Sequence, residues 1–281
     1  MNKNLFDILG LAVAVCFILA LKGLSSPKSA RRGNLIGAAG AFAATDLIFF
    51  SPGMTHNHKW WILGAIGFGS IVGVPAARKI QMTQMPQLVA LFNGVGGGAA
   101  ALVAIVEYLK LGSTATTPQV LATVFTVIVG CVSFSGSIVT FLKLQEIMTT
   151  RPVVFPGGRF VIAATLLGTL ASAEWVVHSL GNTSLAVMSA LALLFGVLFV
   201  LPVGGADVPI VISLLNAFTG LTVAASGYVL QATLLIVAGT LSSSVVASTK
   251  IACSGGSSNV LSSASKAAAE KRCTSSITYT L

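Results

Sequence analysis

Long apolar segments, each about the length of a membrane-spanning helix, dominate this sequence. Nine of them follow one another, at residues 5–21, 34–51, 60–77, 86–109, 118–142, 160–180, 184–201, 207–229 and 231–249. A helix needs roughly 20 apolar residues to cross the hydrocarbon core of a bilayer. Only 8% of the residues are charged, whereas a soluble domain carries about 25%. The sequence therefore predicts an all-α fold, a polytopic transmembrane helix bundle with about nine spanning helices in a lipid bilayer.

The basic residues predict an orientation. If there are nine spans, thirteen of the 16 Lys and Arg residues fall on one side of the membrane, and only Lys3, Lys59 and Lys110 fall on the other. The thirteen include Lys143, which we assign to the connection after the fifth segment. Because connections rich in Lys and Arg stay inside, we predict that the N-terminus is outside and the C-terminus inside. The net charge of +9 then has a topological origin, and we expect no nucleic-acid partner.

Two of the apolar segments share a plan. Asn93 lies seven residues after Pro86 in the fourth segment, and Asn216 lies seven residues after Pro209 in the eighth. A polar group inside a membrane is costly and usually faces the bundle interior or a wet cavity. We therefore expect the two asparagines to form the functional centre, at the same depth in two equivalent helices. The alternative is a hydrogen-bonded clamp between helices.

The repeat extends beyond these two segments. Residues 128–138 of the fifth segment loosely match residues 236–246 of the ninth. Segments four and five would then pair with segments eight and nine as a parallel repeat, an arrangement that transporters use.

Other polar residues on these segments are candidates for the same site. Ser213 and Thr219 flank Asn216 in the eighth segment, Ser133 lies in the fifth, and Asp207 precedes the eighth. Each has an alternative role: Ser and Thr in membrane helices often bond the carbonyl four residues back, and Asp before a helix is a common N-cap. An asparagine cannot titrate, so the pair can order water or orient a proton carrier but cannot carry the charge.

Glycines favour close helix packing. Small residues spaced by four recur at Gly33 and Gly37, at Gly69 and Gly73, and at Gly94 and Gly98, and this spacing lets helix backbones approach each other. A nucleotide-loop pattern also begins at Gly94, but it lies inside an apolar segment with no preceding strand, so we expect no nucleotide there. The four cysteines have no metal or redox spacing.

Several motifs, in order, resemble one family. They are MTQMPQLVALFNGVGGGAAALVA from residue 82, SFSGSIVTFLKLQ from residue 133, FPGG from residue 155 and LPVGGADVPIVISLLNAFTG from residue 201. Over about residues 1–241 the chain resembles the membrane domain of the beta subunit of proton-translocating NAD(P) transhydrogenase. The resemblance implies hydride transfer from NADH to NADP+ driven by inward proton flow, with this chain as the transmembrane proton-channel part.

The resemblance also implies partners and a location. The complete enzyme would need an alpha subunit, which carries the NAD(H) domain and further membrane helices, and an NADP(H)-binding domain; the family implies a dimer of alpha/beta units. Its membrane would be the bacterial plasma (inner) membrane or an equivalent organelle inner membrane. We expect no cofactor to be bound by this chain, and NADP(H) and NAD(H) to be bound elsewhere in the complete enzyme.

The candidate residues predict a proton pathway, and the resemblance covers three of them. The candidates are Asn93, Asn216, Asp207, Ser213, Thr219 and Ser133. Asn93 falls where some members hold a channel histidine and others hold Asn, Asn216 matches a second channel asparagine, and Asp207 matches an acid at the mouth facing the NADP(H) domain. Because residue 93 cannot titrate here, the resemblance implies a proton carrier from the alpha subunit.

The end of the chain departs from the motifs. Residues 242–281 contain 12 serines, a composition typical of disordered segments. We expect residues 1–249 to form the membrane domain and residues 250–281 to form a Ser-rich tail in place of the NADP(H)-binding domain. The alternative function is a stand-alone secondary transporter or ion channel that uses the same asparagine pair.

Overall fold

The protein is all-α in the part that the structure describes. The computed structural model describes residues 3–24, 29–50, 56–79, 81, 84–112, 115–179, 181–204, 207–230, 235–236, 238–240 and 243. The helices are α1 (Lys3–Leu24), α2 (Ala30–Phe49), α3 (His56–Lys79), α4 (Met85–Leu111), α5 (Thr117–Leu144), α6 (Gly158–Ser179), α7 (Asn182–Val200) and α8 (Val208–Val229). The predicted fold class, a polytopic helix bundle, is confirmed.

The predicted number of nine spans is not confirmed. Six of the described helices, α3 to α8, are long and apolar enough to cross a membrane, and α1 contributes a shorter apolar stretch, Ile8–Ala20. The first eight predicted segments each coincide with a helix. The ninth, 231–249, and the Ser-rich tail lie almost entirely outside the described residues.

The described part of the chain divides into two compact units, of which the first contains helices α1, α2 and α3. Within it, α1 packs against α2, and a Cβ added at Gly37 would lie 3.3 Å from the Cβ of Ala20. The small-residue spacing on α2 is therefore used for packing, as predicted. A Cβ added at Gly69 or Gly73 of α3 would meet no atom within 4 Å, so the same spacing on α3 joins no helix in the described part of the chain.

The second unit contains helices α4 to α8. Helix α5 lies at its centre and packs against α4, α6, α7 and α8. Its start is fixed by Thr116, whose backbone N–H donates to the Gln119 side chain at 3.0 Å. Helices α4 and α8 both have a proline in the first turn. Proline lacks a backbone N–H, but the N–H groups of the first turn have no acceptor within the helix, so no hydrogen bond is lost there.

Three apolar clusters form the core of this unit. The largest joins the second half of α4 and the first half of α5 to α6 and α7, and includes Val127 and Met188. The second joins α5, α7 and α8 through Val139, Val200 and Leu215, and the third joins the starts of α4 and α8. The last two lie where α5 and α7 end and α4 and α8 begin, a region that we call the Lys143 end.

Candidate functional site

Asn93 is buried in the middle of the helix contacts of the second unit. It lies seven residues beyond Pro86, which at 1.5 Å per residue places it about 10 Å along α4 from the Lys143 end. Its side chain is 7% exposed. The amide nitrogen Nδ2 donates to the Ser137 hydroxyl at 3.0 Å and to the Ser133 hydroxyl at 3.3 Å. Both amide hydrogens therefore have acceptors on α5.

Ser133 extends this contact to a third helix. Its Oγ lies 2.6 Å from the Thr219 hydroxyl and 3.4 Å from the carbonyl of Leu215, both on α8. Thr219 also donates to the same Leu215 carbonyl at 3.0 Å. Asn93, Ser133, Ser137 and Thr219 thus form one hydrogen-bonded group across α4, α5 and α8, which we call the Asn93 cluster.

Glycines allow α4 and α5 to come this close. A Cβ added at Gly94 would lie 2.9 Å from the Cβ of Ser137, and one added at Gly97 would lie 2.9 Å from the Cβ of Ser133. On the other side of the contact, a Cβ at Gly130 of α5 would lie 2.7 Å from the Gly97 carbonyl oxygen. The predicted glycine face of α4 is therefore the surface that α5 covers.

The same backbone contact recurs in the second half of the predicted repeat. A Cβ added at Gly239 would lie 2.5 Å from the carbonyl oxygen of Gly220. Gly220 follows Asn216 by four residues, as Gly97 follows Asn93. In both halves, the glycine four residues after the asparagine thus lies against a glycine of the following apolar segment. The contact in the second half is one position out of register with the predicted match, which pairs Gly130 with Ala238.

One polar atom of the Asn93 cluster has no partner. The amide oxygen Oδ1 of Asn93 is buried and accepts no hydrogen bond from any described residue. Burying such an acceptor unpaired costs about 1–3 kcal/mol. Apolar residues close the cluster along α5, with Val132 on one side and Val139 on the other. The cluster therefore offers an acceptor for a small donor such as water in the interior of the helix bundle.

The structure brings three of the six predicted residues together and leaves three outside. Asn216 and Ser213 lie half-buried on α8 and make no side-chain hydrogen bond to a described residue. Asp207 is exposed and occupies the position before α8, but its side chain makes no capping hydrogen bond. No hydrogen bond joins the two asparagines in the described part of the chain.

Several neighbouring hydroxyls bond only to their own helix. Ser135 donates to the Cys131 carbonyl at 3.0 Å and Thr140 to the Gly136 carbonyl at 2.8 Å. Thr222 donates to the Thr219 carbonyl at 2.6 Å. For these residues the alternative of local bonding is the one that the structure shows.

Lys143 is the site residue that sequence reasoning placed wrongly. We assigned it to a connection, but it lies in the last turn of α5 and is 0% exposed. Its ammonium donates to the carbonyls of Val200, Leu201 and Val203 at the end of α7. A lysine near the end of an apolar segment is usually exposed, so the sequence offered no signal of burial.

The described residues contain no group of three or more His, Cys, Asp or Glu side chains that could hold a metal ion. The pairs of acidic and basic side chains in this part are local: Glu107 lies 4.0 Å from Lys110, and Glu174 lies 2.8 Å from His178. The chemistry of the site is therefore that of amide, hydroxyl and carbonyl groups.

Fold and site together define an integral membrane protein whose helix bundle encloses a polar cluster. The sequence profile of one family, described as NAD(P) transhydrogenase beta subunit, matches residues 6–277. The chain belongs to this family, and the resemblance seen in its motifs is confirmed. The match continues past residue 241, where the predicted resemblance ends.

Two curated relatives give the same result. Both are named NAD(P) transhydrogenase subunit beta and come from Rhodospirillum rubrum, one from a defined strain; each is 37% identical over 238 residues, 82% of this chain and 51% of the relative. The chain therefore spans about half the length of the curated relatives it matches. Family membership gives no support to the alternative of a stand-alone transporter.

Proposed function

We propose that this chain is the proton-translocating membrane part of an NAD(P) transhydrogenase. It would couple inward proton movement to hydride transfer from NADH to NADP+, a reaction whose nucleotides bind elsewhere in the enzyme. Family membership supports the class of enzyme. The observation that carries the role of this chain is the Asn93 cluster, a buried polar connection between three helices with an unpaired acceptor at Asn93.

The cluster suits proton passage through ordered water. A hydroxyl both donates and accepts, whereas an amide oxygen only accepts. Ser133 and Thr219 can therefore reorient as a proton passes, and the free Oδ1 of Asn93 can hold a water molecule in line with them. None of these groups carries a charge at neutral pH, so we place the titratable carrier on a helix of the alpha subunit.

The remaining residues extend the path along α8. Asp207 stands exposed at the start of the helix, followed by Ser213 and Asn216, both half-buried, and then by Thr219 in the cluster. Asp207 and Thr219 are separated by 12 residue steps along α8 and its cap, about 18 Å at 1.5 Å per residue. We propose that Asp207 lies at the inner mouth and faces the NADP(H)-binding domain.

The complete assembly follows the same proposal. Residues 1–249 form the membrane domain, which works with the alpha subunit and the NADP(H)-binding domain in a dimer of alpha/beta units. The N-terminus lies outside and the C-terminus inside a bacterial plasma membrane or an equivalent organelle inner membrane.

Replacement of the two asparagines by leucine tests this function. In an enzyme completed with its alpha subunit and an NADP(H)-binding domain, we expect Asn216→Leu to abolish proton-coupled turnover while the thermal unfolding midpoint stays near the parent value. Asn216 makes no hydrogen bond to a described residue, so its loss removes no helix clamp. Asn93→Leu should lose turnover as well, and it should also lose stability, by about 1 kcal/mol for its interhelical bonds.

Proton uptake and thermal unfolding are measured on the same preparations. Ser135→Ala is the matched control, because its hydroxyl bonds only to its own helix. Turnover at the parent rate in a stable Asn216→Leu enzyme would remove Asn216 from the mechanism. The same result for Asn93→Leu would remove the cluster.

A further inference from the structure

Lys143 makes an unusual set of contacts for a lysine in an apolar helix. Its side chain is 0% exposed, and Nζ donates to the carbonyls of Leu201 at 2.6 Å, Val203 at 2.8 Å and Val200 at 3.2 Å. An ammonium has three N–H donors and no acceptor, so donors and acceptors match in number. The described part of the chain contains no ion pair to Lys143. Its charge is compensated by carbonyl dipoles alone.

The three carbonyls belong to the end of α7 and the start of its connection to α8. The last carbonyls of a helix have no partner within it and carry the negative end of the helix dipole. Helix α7 ends at Val200, and Pro202 follows two residues later. Proline cannot continue the helical bonding. The chain must therefore turn here, and Lys143 binds the carbonyls that the turn exposes.

The connection that Lys143 holds leads directly to Asp207. It contains Gly204 and Gly205. Glycine allows many backbone conformations, so contacts with neighbouring residues must select one. The described residues show three further ties: the Val153 N–H donates to the Leu201 carbonyl at 3.1 Å, the Asp207 N–H donates to the Gly204 carbonyl at 3.0 Å, and Pro152 lies against Gly204. Lys143 is the one charged group among these contacts.

The backbone of α5 near Lys143 is itself fixed to α4. The Gln87 amide donates to the Leu144 carbonyl at 2.6 Å, and the Gln145 amide donates to the Gln87 side-chain oxygen at 2.6 Å. The lysine therefore extends from an anchored helix end toward the connection between α7 and α8. Movement of that connection has to stretch or break the ammonium contacts.

We propose that Lys143 is a positioning residue for the proton path. By holding the carbonyls of residues 200, 201 and 203, it sets the conformation of the connection that carries Asp207 to the start of α8. The inference rests on the proposed function for its consequence in the enzyme, but the local contact can be tested without any partner. A neutral residue of similar length would fill the same space but would remove the three ammonium hydrogen bonds to these carbonyls.

Hydrogen–deuterium exchange on this chain in detergent tests the local contact. The backbone amides of Leu201, Val203 and Asp207 are hydrogen-bonded, so their exchange reports opening of the connection. We expect Lys143→Met to raise exchange in residues 201–207 at least about tenfold, while Lys143→Arg, which keeps charged donors, stays close to the parent. Lys110→Met is the matched control, because Lys110 is 70% exposed at the far end of α4.

Equal exchange in the parent and Lys143→Met would overturn the proposal. If the methionine variant does not fold, Lys143→Gln takes its place, because an amide retains two N–H donors but no charge. Faster exchange in the glutamine variant than in the arginine variant supports the proposal. Parent-like exchange in the glutamine variant contradicts it.

The second measurement is made in the complete enzyme with its alpha subunit and NADP(H)-binding domain. We expect Lys143→Met to lower kcat per assembled complex at least about tenfold, with KM for the nucleotides nearly unchanged. A residue outside the nucleotide sites affects proton-coupled turnover and does not affect nucleotide binding. Lys143→Arg should restore turnover. A merely structural lysine would lower the number of assembled complexes and leave turnover per complex at the parent value, which would contradict the proposal.

The exchange experiment and the turnover experiment test different parts of the proposal, so their outcomes can be told apart. Exchange that rises as expected, together with parent-like turnover, shows that the contact exists and that the connection has no part in the reaction. Loss of turnover in Asn93→Leu and Asn216→Leu with unchanged turnover in Lys143→Met leaves the proposed function in place and removes Lys143 from it.

Discussion

At the scale of single residues, two serines of α5 that are two positions apart make different hydrogen bonds. Ser133 and Ser135 are both buried on α5. Ser133 contacts Asn93 on α4 and both Thr219 and the Leu215 carbonyl on α8, whereas Ser135 donates to the carbonyl of Cys131 on its own helix. The orientation of α5 about its axis decides which hydroxyl bonds to other helices and which one bonds only to a carbonyl of α5.

Replacement of these serines by alanine should therefore give unequal effects. We expect Ser133→Ala to lower the free energy of unfolding in detergent by about 1–2 kcal/mol, because it removes bonds between membrane helices that are worth about 0.6–1.7 kcal/mol each. Ser135→Ala should change it by less than about 0.5 kcal/mol, since only a local bond is lost. Thermal unfolding of the two variants side by side measures the difference, and equal midpoints would contradict the hydrogen-bond network of Ser133.

The sequence identified the residues of the cluster but not their grouping. Asn93, Ser133 and Thr219 were candidates because a polar side chain in an apolar segment is costly. However, the spacing of residues in the sequence gives only their position along a helix. It does not show which faces of two helices pack against each other. For that reason we grouped Asn93 with Asn216, while the structure joins it to Ser133 and Ser137. Lys143 was missed because burial of a lysine depends on carbonyls about 60 residues away in the chain.

At the scale of helices, length and proline were sufficient to locate the elements. Helices α4 and α8 begin at Pro86 and Pro209 within one or two residues, because proline is favoured in the first turn of a helix. Proline alone is not a boundary signal, since Pro75 lies inside α3. Glycine spacing was less informative. It predicted close packing equally for α3 and α4, but only α4 has a helix against its glycines in the described residues. A face of small residues allows another helix to pack closely against it, but it does not determine whether such a helix is present.

Two adjacent glycines of α4 provide a test of that packing. A Cβ at Gly97 would lie 2.9 Å from the Cβ of Ser133, whereas a Cβ at Gly96 would have only the Thr219 Cγ2 nearby, at 3.8 Å. We expect Gly97→Ala to lower the free energy of unfolding by about 1–3 kcal/mol through overpacking. Gly96→Ala should leave it unchanged or raise it by up to about 1 kcal/mol, because alanine favours a helix over glycine.

Denaturant unfolding in detergent compares the two variants with the parent. Proton uptake in the completed enzyme gives a second measurement, since separation of α4 from α5 also separates Asn93 from Ser133. Equal stability of Gly97→Ala and the parent would mean that α4 and α5 do not approach as closely as the structure shows.

At the scale of the whole molecule, the orientation in the membrane remains a prediction. Lys143 is buried against α7, so it no longer counts as a connection charge, and thirteen minus one leaves twelve basic residues against three. The bias still favours an N-terminus outside. The described connection between α5 and α6 contains Arg151, and we expect it to lie inside.

Cysteine labelling in oriented membrane vesicles tests this orientation. In a background without the native cysteines, Thr150→Cys should react with a membrane-impermeant maleimide only from the inside, because the basic side stays inside. Lys110→Cys, at the opposite end of α4, is exposed and should react only from the outside. Labelling of Thr150→Cys in intact cells would overturn the predicted orientation, and the reaction of Lys110→Cys controls for access of the reagent.

The contacts of Lys143 impose an order on the biosynthesis of this protein. Its carbonyl partners lie 57 to 60 residues further along the chain, which ribosomes add at about 5–20 residues per second. For several seconds the lysine is thus in the membrane without them, and a long basic side chain in that position extends to the lipid headgroups. Only when α7 arrives can the ammonium leave the membrane surface and turn inward. We therefore expect the inward turn of Lys143 to be a late step of maturation that follows the arrival of α7.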